Sequence, residues 1–233
     1  MTTIGTIGAG NIGSAIARLA AGAGHAVVLS NSRGPATLIQ QAQALGSHVT
    51  AGTTQDAATA DIVVVTVPLS RLWALPEDLL QGKIVVDTMN YYPARDGVIS
   101  ELEDRRTTTS LMTAHHFIGA RVVKAFNNII STHLIKLAAP QGAPHRSALP
   151  VASDQAEAKA EVARLIDDLG YDPLDAGSLT DSWRFENGQP AYCLPYAADP
   201  AALLASSPGS RPLATRPASV GDITAALSRA SRA

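Results

Sequence analysis

Three glycines near the start of the chain carry the first chemistry that can be read from it. Gly8, Gly10 and Gly13, in IGAGNIG, give the spacing G-x-G-x-x-G. In that spacing the first glycine permits a tight turn, the second lets backbone approach an anion, and the third lets a helix pack close to a strand. The unpaired N–H groups and partial positive charge of a helix beginning around Ala9, Asn11 and Ile12 are suited to a pyrophosphate. The spacing alone is a weak signal and needs a strand before it and a helix after it. Both are in place. Thr3 to Ile7 is a short apolar run, Ile12, Ile16 and Leu19 recur at helical spacing, and Ala21–Gly24 breaks the helix before a second apolar run, His25 to Leu29.

The end of that second run carries the next signal. Dinucleotide sites that prefer the unphosphorylated adenosine place an Asp or Glu about 20 residues past the glycines, where it binds the ribose. Here the run ends VVLSNSRGP, with Ser30, Asn31, Ser32 and Arg33 and no acid. A carboxylate would repel a 2′-phosphate, whereas hydroxyls, an amide and a guanidinium hold one. The stretch therefore predicts an NADP(H) site. Methyltransferases also use glycine-rich turns, but Gly13 and the missing acid argue against that class.

Ligands of open parallel sheets sit beyond the carboxyl ends of the strands. That rule singles out Val67, Pro68 and Leu69 after a run DIVVVTV, Thr88-Met89-Asn90 after KIVVD, and Asn127-Asn128 after RVVKAF. Asn90 and Asn127 are candidate partners of a nicotinamide or of a second substrate; strand-end asparagines also make simple Asx turns. His115 and His116 stand at a predicted helix end, where the dipole suits them without any catalysis. Lys124 falls inside a strand that should be buried and predicts a polar contact. Trp183 to Glu186 is a dense aromatic and charged cluster, which either lines a substrate pocket or packs the fold. No spacing suggests a metal site or a nucleophile elbow, and no side chain is singled out as acid or base.

The elements that must position these residues alternate. Helices are predicted over Pro35–Leu45, Thr53–Thr59, Thr109–His115 and Ser131–Leu137, between apolar strands at His48–Val49, Asp61–Val67, Lys83–Asp87 and Arg121–Phe126. Alternation of this kind predicts an α/β fold with a doubly wound, mainly parallel sheet. A further strand over Ala148–Ala152, a helix capped by Asp154 and stopped by Gly170, and a strand over Tyr171–Asp175 predict a small C-terminal β-α-β extension. From about Pro195 the chain turns to Ala, Ser, Pro and Gly. Asp199–Pro217 reads as loop, and Val220–Arg229 as a last helix. The expected organisation is a dinucleotide-binding domain over 1–140, the extension over 141–195 and an irregular tail over 196–233.

With 233 residues and 46% hydrophobic content the chain can bury one sizeable core. A net charge of −2 suggests neither nucleic acid nor an anionic membrane as partner. Cys193 is the single cysteine, so no intrachain disulfide can form. Neither a leader-like apolar segment nor a run of transmembrane length is seen, and a cytoplasmic protein is expected.

The segments IGAGNIGSAIARLAAGAGHAVVLSNSRG, DIVVVTVP, RVVKAFNNI and GYDPLDAGSL, in this order, resemble the NADPH:coenzyme F-420 oxidoreductase family, which is related to the oxidoreductase domain of six-transmembrane metalloreductases. The resemblance runs over roughly residues 2 to 194. It implies a Rossmann domain with a small C-terminal portion, a homodimer, and hydride transfer between NADP(H) and a 5-deazaflavin. Gly8–Gly13 match the family's pyrophosphate site, Ser30–Arg33 its 2′-phosphate site, and Val67-Pro68-Leu69 the segment beside the cofactor. The family's well-studied members have a shorter Gly-Ser-Arg turn and differ at DTMNYYP and AFNNI, which would lie near the acceptor. The expected activity is that of an NADPH-dependent oxidoreductase acting on a planar acceptor, with coenzyme F-420 as co-substrate, held in a cleft against Asn90, Asn127 and Trp183. A reductase of flavin, metal or a small carbonyl or imine, and a non-catalytic NADPH sensor, remain as alternatives.

Overall fold

A computed structural model describes residues 1–206 and 214–232. Its strands are β1 (Thr3–Ile7), β2 (Ala26–Ser30), β3 (Val49–Ala51), β4 (Ile62–Val65), β5 (Ile84–Asp87), β6 (Arg121–Lys124), β7 (Ala148–Val151) and β8 (Asp172–Asp175). The first six form one parallel sheet in the order β3-β2-β1-β4-β5-β6. Parallel strands are covered on both faces, which is why β4, IVVV, is apolar at every position and buried throughout. The order reverses between β1 and β4, and the crevice at that switch point lies above the glycine turn. The α/β doubly wound fold read from the alternation is the one observed.

The principal helices are α1 (Asn11–Gly22), α2 (Ile39–Leu45), α3 (Thr54–Ala58), α4 (Pro93–Asp96), α5 (Ser100–Glu103), α6 (Thr109–His116), α7 (Ser131–Lys136), α8 (Ala156–Asp168), α9 (Pro200–Leu204) and α10 (Val220–Ser228). On one face of the sheet, α1 buries Ala15, Ile16 and Ala20, and α8 buries Val162, Leu165 and Ile166 in the same core. Phe117, Leu69 and Leu72 pack with Val63, Val65 and Val85 on the other face. Gly5 admits α3 to close quarters: a Cβ there would lie 1.9 Å from the Ala57 carbonyl oxygen.

β7 and β8 pair in parallel around α8, forming the small extension. It is stitched to β6 by a reciprocal antiparallel bridge, Lys124 N–H to Ala152 O at 2.8 Å and Ala152 N–H to Lys124 O at 3.1 Å. Tyr171, buried just before β8, donates to Leu134 O at 2.6 Å, and Tyr196 donates to Ala148 O at 2.8 Å.

Three expectations change. Asp154 does not cap α8; its Oδ1 accepts from Leu179 N–H at 3.0 Å, and Gln155 takes the cap position without a side-chain bond. The helix reading of Pro35–Leu45 divides into a 3-10 turn over Pro35–Leu38 and α2, because Pro35 starts a tight turn. The span read as loop, Asp199–Pro217, contains α9, whose Asp199 side chain accepts from Ala202 N–H with Pro200 in the first turn; its residues 207–213 lie outside the described residues. Among the described residues no helix is long and apolar enough to cross a membrane.

Candidate dinucleotide and acceptor cleft

The turn between β1 and α1 is built for backbone to face a ligand. Gly8 adopts a φ of 116°, and a Cβ on Gly13 would sit 2.1 Å from the Gly8 carbonyl oxygen. A Cβ on Gly10, by contrast, would meet no atom within 4 Å. That open space is where an anion can approach the main chain. Surrounding side chains engage the turn's carbonyl oxygens. Thr66 Oγ1 donates to Gly8 O at 2.9 Å, Ser14 Oγ to Gly10 O at 2.7 Å, and Gln41 Nε2 to Ala9 O at 3.1 Å and Ser14 Oγ at 2.7 Å. No side chain caps the first N–H groups of α1, and its first turn holds no acid. The helix start therefore presents donors and partial positive charge.

At the end of β2 the structure separates the four expected residues. Arg33 and Ser32 are exposed, and Arg33 has no ion-pair partner among the described residues. Asn31 Oδ1 accepts from Arg33 N–H at 2.9 Å, and its Nδ2 donates to Thr37 Oγ1 at 3.0 Å, an Asx turn that shapes the loop. Ser30 departs from the expectation. Its hydroxyl is fully buried and donates to Thr6 O at 2.7 Å, so it ties β2 to β1 and is not presented to a phosphate. Ser30 O accepts from Gly8 N–H at 3.1 Å, which sets this corner against the glycine turn.

A cleft of about 510 Å³ runs from the glycine turn across the ends of β4, β5 and β6. Gly10, Asn11, Ile12, Val67, Pro68, Asn90 and Asn127 line it. Leu69 does not: it is fully buried in the core beneath, because the 3-10 turn after Pro68 points it inward. Gly8, Ala9 and Gly13 shape the turn without lining the cleft.

Asn90 and Asn127 form a buried pair. Asn90 Nδ2 donates to Asn127 O at 2.9 Å, while Asn127 Nδ2 donates to Asn90 Oδ1 at 3.1 Å and to Phe185 O at 2.9 Å. Asn127 Oδ1 is left buried without a partner among the described residues, a costly arrangement unless a ligand donor meets it. The open space at Gly10, the uncapped helix start, the free guanidinium of Arg33 and this orphan acceptor all fit a bound dinucleotide.

The far wall contains residues that sequence reasoning did not single out. Tyr92 and Tyr192 touch hydroxyl to hydroxyl across the cleft. Arg95 stacks over the Tyr92 ring at 4.8 Å from its centroid and donates through Nη2 to Asn90 O at 2.8 Å. Its Nε and Nη2 grip Asp96 at 2.9 and 2.7 Å. The Asp96 side chain is fully buried. Burial pushes its carboxyl up, but Arg95 and the N–H groups of Tyr92 and Ser70 outweigh this and hold it below the usual carboxylate range. The run DTMNYYPARD carried the only available hint, tyrosines and a charge pair just past a strand end.

Other candidates lie elsewhere. Trp183 is not in the cleft; it lines a separate hollow, where Arg232 stacks on it at 4.7 Å. The aromatic side chains that line the cleft are Tyr92 and Tyr192. His116 is buried, its Nε2 lying 2.9 Å from Leu75 O, and it lines with His115 a different hollow on the surface. Lys124 is fully buried beneath the cleft floor, paired with Asp87 at 3.3 Å. Among the described residues no group of three or more His, Cys, Asp and Glu side chains is placed to hold a metal ion.

Comparison with known proteins places this architecture. Residues 3–91 match the family described as NADP oxidoreductase coenzyme F420-dependent. The hypothetical protein SMa0349 from Sinorhizobium meliloti is 33% identical, with a TM-score of 0.73, over 83% of this chain and 94% of that one. A candidate F420-dependent NADP reductase from Arthrobacter sp. FB24 is 26% identical, with a TM-score of 0.62, over 77% and 86% of the two chains. Metalloreductase STEAP3 from Rattus norvegicus is 31% identical over 188 residues, 78% of this chain and 35% of that protein, so the chain spans about a third of this curated relative. The uncapped glycine turn, the sheet order and these likenesses agree, and the chain belongs to the coenzyme F420-dependent NADP oxidoreductase family, on an NADP-binding Rossmann fold.

Proposed function

We propose that the protein transfers hydride between NADP(H) and a planar acceptor, a 5-deazaflavin of the coenzyme F-420 type. When bound, the nicotinamide would supply the hydride that the acceptor ring takes up, with solvent as the source of the accompanying proton. The chain's own part is to hold and orient. The amides at the start of α1 receive the pyrophosphate, Arg33 with Asn31 and Ser32 receives the 2′-phosphate, and Asn127 Oδ1 offers an acceptor to the carboxamide. Val67 and Pro68 flank the ring, and Tyr92 and Tyr192 give the second ring an apolar, aromatic wall. Such positioning is the chief requirement of direct hydride transfer. A homodimer and a cytoplasmic setting belong to the same proposal; sedimentation at micromolar concentration tests the first.

The observation that carries the cofactor half is the exposed Arg33, without an ion-pair partner among the described residues, beside a turn free of acids. Arg33→Ala is expected to weaken NADPH by about 1.5–3 kcal/mol, as for loss of a charged hydrogen bond, and to leave NADH nearly unchanged. Titration calorimetry with both dinucleotides checks it; equal losses would remove the 2′-phosphate role. The acceptor half is tested by NADPH oxidation with F-420, flavin mononucleotide and a carbonyl panel. The hydroxyl pair of Tyr92 and Tyr192 favours one second reading, reduction of a carbonyl or imine with a tyrosine as proton donor. Turnover of the carbonyl panel that Tyr92→Phe abolishes would select it.

A further inference from the structure

The cleft has one charged side chain among the residues that line it. This is Arg95, in the short helix after β5. β4 separates β5 from β1, so Arg95's strand lies two strand spacings, about 10 Å, from the strand whose end holds the pyrophosphate site. The dinucleotide's own anions are already provided for, by the start of α1 and by the end of β2. A cation on the β5 side is beyond both.

Arg95 is also held ready. Its Nε and Nη2 are fixed on the buried Asp96 carboxylate, Nη2 reaches Asn90 O as well, and the guanidinium carbon sits over the Tyr92 ring. Asp96 is in turn fixed by Tyr92 N–H at 3.0 Å and Ser70 N–H at 3.3 Å. Nη1 makes no hydrogen bond to the described residues, and the Arg95 side chain is 44% exposed. An arginine pinned in this way loses little rotational freedom when it meets an anion, and its remaining N–H groups suit a phosphate or carboxylate oxygen.

We infer that Arg95 selects the acceptor, by binding an anionic group, phosphate or carboxylate, carried on the acceptor's side chain. The inference rests on the hydride-transfer reading for the word acceptor, but the binding it describes can be measured without turnover. Two pairs of ligands serve, each with the same ring system and differing in charge: riboflavin against flavin mononucleotide, and the uncharged 8-hydroxy-5-deazariboflavin against coenzyme F-420. Each is titrated by fluorescence into protein saturated with NADP⁺. The expected result is that at least one anionic member binds about ten-fold or more tightly than its uncharged partner, as for one charged hydrogen bond. In Arg95→Gln that ratio should fall toward one, and in Arg95→Lys part of it should remain. The affinity for NADPH should change by less than about two-fold in both variants. Ratios near one in the unaltered protein, for both pairs, would overturn the inference without any variant having to fold. So would an Arg95→Gln variant that loses NADPH as strongly as it loses the anionic ligand, since the guanidinium would then serve the dinucleotide. Anionic preference without NADPH oxidation by any of the four compounds would leave Arg95 as inferred and remove the hydride-transfer reading instead.

Discussion

At the scale of single residues, the ion pair under the cleft floor is the most exacting feature of the molecule. Lys124 and Asp87 are both wholly buried, 3.3 Å apart. Lys124 Nζ also donates to Met89 O and, at 2.8 Å, to Thr109 Oγ1, while Asp87 accepts from Ser110 Oγ at 2.6 Å and Met89 N–H at 2.8 Å. Removing one partner of such a pair strands the other's charge in a low dielectric and costs about 3–5 kcal/mol. Lys124→Met is expected to lose about that much in urea unfolding. The double variant Lys124→Met with Asp87→Asn should be less destabilised than the sum of the single changes, a coupling a double-mutant cycle reads directly. Asp96 supplies a pH test. Its folded-state pKa lies below the unfolded value, so its contribution is present above the unfolded carboxylate pKa and is lost as pH falls through the folded one. Stability measured against pH should drop below about pH 4, and Asp96→Asn should flatten part of that fall.

At the scale of elements, the β1–α1 unit separates two duties that share one motif. Gly13 is required for packing: an added Cβ would lie 2.1 Å from Gly8 O and 2.8 Å from Thr66 Oγ1. Gly10 is not required for packing, since an added Cβ there meets nothing among the described residues and its φ of −78° suits any residue; in the proposed function it keeps the space above the turn clear for the ligand. Gly13→Ala is therefore expected to cost about 1–3 kcal/mol in thermal unfolding. Gly10→Ala should cost less than about 1 kcal/mol yet still weaken NADPH by occupying the space above the turn. The unit was legible because each glycine answers a local constraint that the strand and helix periods frame. α4, by contrast, was not read at all. Four residues, Pro93–Asp96, are too few for a hydrophobic period, and the helix is held by Asp96 reaching Tyr92 and Ser70.

At the scale of the whole molecule, one core joins the sheet domain, the extension and the last helix. Ile16 and Val64 of the sheet domain, Leu165 and Ile166 of the extension, and Ile223 of the last helix belong to a single buried cluster. The tail is also clamped: Gln189 Nε2 donates to Ser231 O at 3.1 Å, and Arg105 Nη1 donates to Arg232 O at 2.8 Å. A shared core predicts one cooperative unfolding transition. Far-UV circular dichroism and tryptophan fluorescence, from Trp73 in the sheet domain and Trp183 near the tail, should trace the same curve; two resolved midpoints would refute it.

What the sequence by itself determined is what local rules can encode. The alternation of apolar strands and helices implied a doubly wound sheet, the glycine spacing implied the anion-facing turn, and a strand end without an acid pointed to the phosphorylated dinucleotide. Tertiary structure alone decided the far wall of the cleft. Tyr92 and Tyr192 meet although they are 100 residues apart, and Asn90 meets Asn127 across 37. It also turned Ser30 and Leu69 inward and moved Trp183 out of the cleft. Contacts between distant segments leave no period or turn signature in the chain. They depend on which strand ends the sheet order brings side by side and on which face each side chain leaves to the core.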